Sequence, residues 1–197
     1  MEVAYATPSV RDGGVRVGDS GDDAGRRVTH PGPVLRALPS FSFSLPEGWR
    51  VRELPGALAV VEPSGSGDAG SQLTVSARRV PADADLRRIA PASLARLRRE
   101  HPDLEVATER IGHFGDGGCP MYVRAIRLTV GDPARTISEV HALVLAPPDP
   151  QRPVQDLFVL VGRCADRDVD RHGPVFLGMV ASFRFGDSPD DHGRDLA

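Results

Sequence analysis

The chain has 197 residues, a length typical of one domain, and 40% of them are hydrophobic, enough for one sizeable core. The formal net charge is −3 and the sequence pI is about 6.1, which gives no electrostatic reason to expect binding to nucleic acid or to an anionic membrane. No stretch approaches the roughly 18 apolar residues that a membrane span needs.

Hydrophobic residues are sparse at both ends of the chain. Residues 1–38 are rich in Gly, Asp, Arg, Ser and Pro, and residues 187–197 have a similar composition. Such segments bury too little apolar surface to offset the entropy lost on ordering, so we expect both to be disordered. The start of the sequence lacks the basic, apolar and small-residue regions of a secretory signal, which predicts a cytoplasmic protein.

The folded domain is predicted to span residues 39–186 and to begin with strands. Residues 41–45 alternate apolar with polar side chains, and the Pro46-Glu47-Gly48-Trp49 segment that follows has the composition of a turn. Residues 72–78 alternate without interruption, as a strand with one buried face does. Four strands are expected in this part of the chain: residues 41–45, 50–54, 57–62 and 72–78.

The next segment changes to a helical period. One face of the predicted helix carries Leu86, Ile89, Ala90, Leu94 and Leu97, and the opposite face carries Arg87, Arg88, Arg96, Arg98 and Arg99. Asp83 and Asp85 favour a helix start before Leu86, and His101-Pro102 favours an end. Pro91 lies inside this span and predicts a kink or a break.

Four apolar segments and a second helix complete the domain. Residues 104–111, 121–130, 137–146 and 154–161 are predicted to be successive antiparallel strands. The last of them is apolar on both faces, so it should lie centrally with a helix on each side. The second helix is expected over residues 169–183. The fold class is therefore α+β, a single antiparallel β-sheet flanked by helices.

This order of elements resembles the PsbP-like superfamily of α/β/α sandwiches, including the bacterial DcrB-, LpqN- and Eag-chaperone-like groups. The resemblance covers about residues 39–186, and its specific marks are Pro46-Glu47-Gly48-Trp49, the helix end at residues 94–100 and the closing Ser182-Phe183. Members of that superfamily are mostly non-catalytic assembly factors, lipoproteins or chaperones for secreted effectors. The resemblance therefore implies a protein-binding role.

No motif in the sequence identifies a catalytic, cofactor or metal site. None of the six histidines stands in a helical i, i+4 pair or beside a cysteine pair, and Cys119 and Cys164 fit no metal spacing. Glu139 and His141 share one face of a predicted strand and could act as acid and base, but a solvated sheet face explains them as well. We expect no enzyme, no cofactor and no nucleic-acid partner.

Two surfaces are candidates for binding a protein. The first is the arginine face of the first helix, which ordinary exposure of a helix also explains, and the second is whichever sheet face the helices leave open. The leading hypothesis is a cytoplasmic chaperone or adaptor, with a secreted effector as one class of partner. The alternatives are an immunity-type or structural protein acting by occlusion, and a small-molecule binder or enzyme that uses a sheet pocket near Glu139 and His141. The oligomeric state is left open.

Overall fold

A seven-stranded antiparallel sheet dominates the computed structural model, which describes residues 36–65, 70–114 and 119–186. In chain order the elements are β1 (Phe41–Ser42), β2 (Trp49–Arg52), β3 (Ala59–Pro63), β4 (Gln72–Pro81), α1 (Leu86–Glu100), β5 (Glu105–Phe114), β6 (Cys119–Val130), β7 (Arg135–Leu145), β8 (Val154–Ala165), a 3-10 turn (Asp166–Asp168), α2 (Val169–Ala181) and β9 (Arg184–Phe185). The strand order in the large sheet is β2-β3-β4-β8-β7-β6-β5. The disorder expected for residues 1–38 and 187–197 concerns residues outside the described part, apart from residues 36–38.

The two helices lie on opposite faces of the large sheet. Along β8, Leu157 packs in one apolar cluster with Leu86 of α1, whereas the next residue, Phe158, contacts the ring of Phe183 just after α2. Successive residues of a strand point to opposite faces, so this switch of partners assigns α1 and α2 to different sides. β8 is the fourth of seven strands and is covered on both faces, as its uninterrupted apolar run predicts.

The expectation of a single sheet is wrong in one respect. β1 and β9 form a separate two-stranded sheet, in which Phe41 pairs with Phe185. Aromatic packing explains why β1 leaves the large sheet, because Phe41 stacks on Phe183 at 5.5 Å between ring centroids and meets Phe158 edge-on at the same distance. The second helix accordingly ends at Ala181, two residues before the predicted end.

α1 is one continuous helix that passes through Pro91 without a break. Asp85 caps its start, where the carboxylate accepts a 2.9 Å hydrogen bond from the Arg87 backbone N–H. Pro91 has no backbone N–H to donate to the Arg87 carbonyl. Because Arg87 is exposed, water can donate to that carbonyl instead. Within the described ranges, neither helix is long and apolar enough to cross a bilayer.

Gly162 allows α2 to lie directly on the sheet. A Cβ atom added at this position in β8 would lie 2.8 Å from both Cδ atoms of Phe176 and closer still to its Cγ atom. Phe176 is fully buried, so its ring has no free volume into which it could move. The missing side chain at Gly162 therefore sets the distance between α2 and β8.

We expect Gly162→Ala to lower the free energy of unfolding by about 1–3 kcal/mol, because the added methyl group overpacks the α2–β8 contact. Urea denaturation monitored by circular dichroism measures the change. Gly178→Ala on α2 is the matched control, since nothing lies within 4 Å of its added Cβ and alanine favours a helix by about 0.5–1 kcal/mol. Equal effects of the two substitutions would contradict the packing role of Gly162.

Candidate functional site

The candidate acid–base pair, Glu139 and His141, lies side by side on β7. The His141 Nε2 and Glu139 Oε2 atoms are 2.6 Å apart, and both residues are buried on the sheet face that α1 covers. The same-face prediction from the sequence is therefore correct. The solvated position considered for these residues is wrong, because strands on both sides and a helix above enclose them.

Arginines from the neighbouring strands extend this pair into a network. Arg163 of β8 lies opposite Glu139 and donates a 2.6 Å hydrogen bond from Nε to Oε1. Arg124 of β6 lies opposite His141, with Nη2 3.1 Å from Nδ1. Because a guanidinium can only donate, Nδ1 must accept and the imidazole proton sits on Nε2, from which it is donated to Glu139.

Arg124 connects the network to α1. Its side chain is fully buried, and its guanidinium donates to the Ala90 carbonyl at 3.3 Å and to Ser93 Oγ at 3.0 Å. The guanidinium carbon lies 5.9 Å from the ring centroid of Tyr122, whose hydroxyl donates to Glu109 at 2.8 Å. Burial lowers the pKa of Arg124 below its usual value, and the nearby Tyr122 and Glu109 oppose that shift.

This geometry suits a structural role better than proton transfer. Both ring nitrogens of His141 are engaged, whereas a general base needs a lone pair that a substrate can reach. Burial raises the pKa of Glu139, but the hydrogen bond from His141 and the charge of Arg163 outweigh it and hold that pKa below the usual range. Glu139 is thus a buried carboxylate that is stabilised by its neighbours.

The five arginines of α1, the candidate partner-binding residues, are all exposed. Arg96 forms an ion pair with Glu100 at 2.9 Å. Four others make no side-chain ion pair with any described residue: Arg87, Arg88, Arg98 and Arg99. Arg87 borders β5, and Arg98 falls on the same flank of the helix because it follows about three turns later.

A groove between α1 and β5 is the feature that sequence reasoning missed. It consists of two adjoining cavities of about 370 and 350 Å³, which share Leu86, Arg87 and Ile111. Ile111 lies on the α1 side of β5, opposite Tyr122, and remains 49% exposed. Other groove residues are Ala90, Pro91, Leu94, Glu109 and His113. The sequence predicts a strand here, but it does not reveal that this strand is outermost.

A third cavity, of about 320 Å³, lies on the opposite face between α2 and the sheet. At its edge, both nitrogens of the Arg127 guanidinium fork bind the Asp166 carboxylate, and Ser138 donates to the same carboxylate at 2.8 Å. Burial raises the pKa of the adjacent Cys164 thiol to about 11, so the thiol stays protonated at neutral pH. The apolar part of the wall includes Ala125, Val140, Val169 and Phe176.

The titratable side chains near these cavities do not form a metal site. Within residues 36–65, 70–114 and 119–186, no group of three or more His, Cys, Asp or Glu side chains is arranged to hold a metal ion.

Comparison with solved structures identifies the fold. LpqN, involved in cell envelope biogenesis of Mycobacterium tuberculosis, matches with a TM-score of 0.59 and 14% identity, over 79% of this chain and 87% of LpqN. The cyanobacterial PsbP (CyanoP) from Synechocystis sp. PCC 6803 matches with a TM-score of 0.50 and 18% identity, over 74% and 86% of the two chains. No family model and no curated protein matches the sequence. The fold is therefore PsbP-like, as the order of elements predicts, and identities this low establish the fold alone.

We expect Glu139→Gln to lower the free energy of unfolding at pH 7 by about 1–3 kcal/mol, because it removes the buried carboxylate that accepts hydrogen bonds from His141 and Arg163. A lowered native pKa contributes stability that is fully present above the unfolded Glu pKa of about 4.3 and is lost as the pH falls through the native value. The difference between the two proteins should therefore shrink on acidification. Urea denaturation from pH 7 to pH 3 measures it.

The control is Glu100→Gln, which removes the exposed partner of Arg96 and should change stability by less than about 1 kcal/mol at every pH. A difference between the Glu139 variant and the parent that stays constant down to pH 3 would show that the pKa of Glu139 is not lowered in the native state.

Proposed function

We propose that this PsbP-like domain is a non-enzymatic protein-binding module, a chaperone or adaptor, whose partner binds in the groove between α1 and β5. One observation carries the proposal. The groove beside the outermost described strand exposes apolar side chains among polar ones, with Ile111 about half exposed at the point where its two cavities join. An exposed apolar centre with a polar border is characteristic of interaction sites.

The charge around the groove favours a partner with acidic residues. Arg87 borders it, Arg98 lies on the same flank of α1, and neither pairs with a described carboxylate. Arginine is enriched in protein interfaces, and complementary charge accelerates and orients association. We therefore assign partner binding to the arginines on the flank of α1 that faces β5, and not to all five arginines of the exposed face.

The state of the buried pair supports a role without catalysis. Glu139 and His141 bind each other and two arginines, so neither offers a free acid or base to a substrate. A cytoplasmic location and a secreted effector as partner belong to this proposal, the second of them through the sequence resemblance. An immunity-type role would use the same groove and would differ in the partner, a toxin.

A photo-crosslinking amino acid in place of Ile111 tests the proposed surface directly. In native lysate we expect this protein to form a discrete covalent adduct, whereas the same amino acid in place of Leu177, 48% exposed on α2, forms none. The double substitution Arg87→Glu, Arg98→Glu should reduce the yield of the adduct severalfold, because it reverses the charge beside the groove.

Arg135→Glu is the matched control for charge reversal, since this exposed arginine lies at the start of β7 and outside the groove residues. Mass spectrometry identifies the captured protein. Equal labelling from Ile111 and Leu177, or equal loss of the adduct with Arg135→Glu, would contradict a specific partner at the groove.

A second candidate function rests on the cavity beneath α2. Its volume of about 320 Å³ is at the lower end of the range for small-molecule sites, and apolar side chains with a few polar groups at one edge suit a largely apolar ligand. This function would use the face opposite the groove and would not involve Glu139 and His141 as acid and base.

The dye 1-anilinonaphthalene-8-sulfonate serves as the probe for this cavity. We expect one saturable binding site with enhanced fluorescence, which Val140→Phe abolishes because the larger side chain fills the cavity. Ile111→Ser should leave the fluorescence unchanged, and circular dichroism confirms that both variants fold. A signal that depends on Ile111 rather than Val140 would place the dye in the groove and contradict the second function.

A further inference from the structure

β5 is an open edge of the large sheet. It pairs with β6 along one side, and no described strand pairs with its other side. In an antiparallel edge strand, the backbone N–H and C=O groups of alternate residues point away from the sheet and lack strand partners. β5 therefore offers a row of backbone donors and acceptors beside the groove.

The open edge is long and regular. One bulge falls between Val106 and Thr108, and beyond it the seven residues 108–114 pair with residues 119–125 in unbroken register. No proline interrupts this run. Natural edge strands that avoid pairing are usually short, bulged, charged or interrupted by proline.

β2, the opposite edge of the sheet, has such protection. It is four residues long, and two of its residues are arginines that form ion pairs with Glu62, Arg50 at 2.8 Å and Arg52 at 3.2 Å. The contrast between the two edges is one of length, since the run 108–114 in β5 also carries two charged residues, Glu109 and Arg110.

The groove matches the side-chain spacing of an added strand. Glu109, Ile111 and His113 alternate toward the α1 side of β5, and both cavities border this row. An added strand would likewise direct every second side chain to the α1 side, about 7 Å apart. Two of those side chains could then occupy the two adjoining cavities.

The positive charge of α1 beside the groove favours an added strand with acidic residues. α1 carries five arginines against one glutamate. The carboxylates that border the groove are already engaged, since Asp85 caps α1 and Glu109 accepts the Tyr122 hydroxyl. Arg87 and Arg98 have no such partner among the described residues. Carboxylates on an incoming segment would complement these two arginines.

We infer that β5 receives an extended acidic segment of a partner protein as an additional strand. The apolar residues of the segment alternate into the groove, and its carboxylates approach Arg87 and Arg98. This inference rests on the proposed function, to which it adds the mode of binding and the chemistry of the partner.

Selection of a random dodecapeptide library, displayed on phage, against the full chain tests the inference. The enriched peptides should combine alternating apolar residues with Asp or Glu. Their synthetic counterparts should lose at least about tenfold in affinity with the double substitution Arg87→Glu, Arg98→Glu. Arg135→Glu should leave their affinity unchanged, and binding should slow hydrogen exchange at the amides of β5.

Backbone methylation of a selected peptide distinguishes an added strand from other modes. Methylating every second amide nitrogen should abolish binding in one register and be tolerated in the other, because only alternate N–H groups of an added strand face β5. Equal effects in the two registers, or a helical spacing of the selected apolar residues, would overturn strand addition while leaving the groove as the binding surface.

The remaining outcomes separate the two proposals. Failure to enrich any peptide above a surface without protein would overturn strand addition. Strand addition would also be overturned if Ile111→Ser left the affinity of the selected peptides unchanged, because such peptides would bind elsewhere. Crosslinking from position 111 tests the proposed binding surface independently of strand addition, since an adduct forms whatever the conformation of the bound partner.

Discussion

The position of α1 depends on one fully buried arginine. Arg124 projects from β6 and is held by the Ala90 carbonyl, Ser93 and His141, so the helix and the sheet must keep the spacing that its guanidinium requires. A buried cation without these partners would cost several kcal/mol, which makes alternative placements of the helix unfavourable. α1 therefore packs mainly on β6 and β7, and Ile111 of β5 stays about half exposed beside it. The groove is a consequence of this attachment.

The sequence predicts much of the fold because alternation and helical period are local signals. The two helices, most strands and the central position of β8 follow from patterns within about fifteen residues of each other. The separate β1–β9 sheet does not, because it depends on Phe41 meeting Phe183 from the other end of the domain. The outermost position of β5 is equally non-local. Strand order is decided by pairings among distant segments, and a single sequence does not display them.

In the candidate site, too, local features can be predicted from the sequence and contacts between distant segments cannot. The shared face of Glu139 and His141 follows from their spacing of two on a strand, so the sequence finds the pair. It does not find Arg124, which stands among apolar residues of β6 and is identified as buried only by its partners on α1 and β7. The arginines of α1 are correctly exposed, but which of them border the groove depends on how the helix lies on the sheet.

The contact between Gly162 and Phe176 joins two positions into one steric unit. A larger residue at the first position fits only if a smaller one replaces the ring at the second, because the backbone of β8 and the axis of α2 would otherwise have to separate. In related sequences, therefore, these two sites should vary together rather than independently. Such covariation would mark the α2–β8 interface in alignments of related sequences.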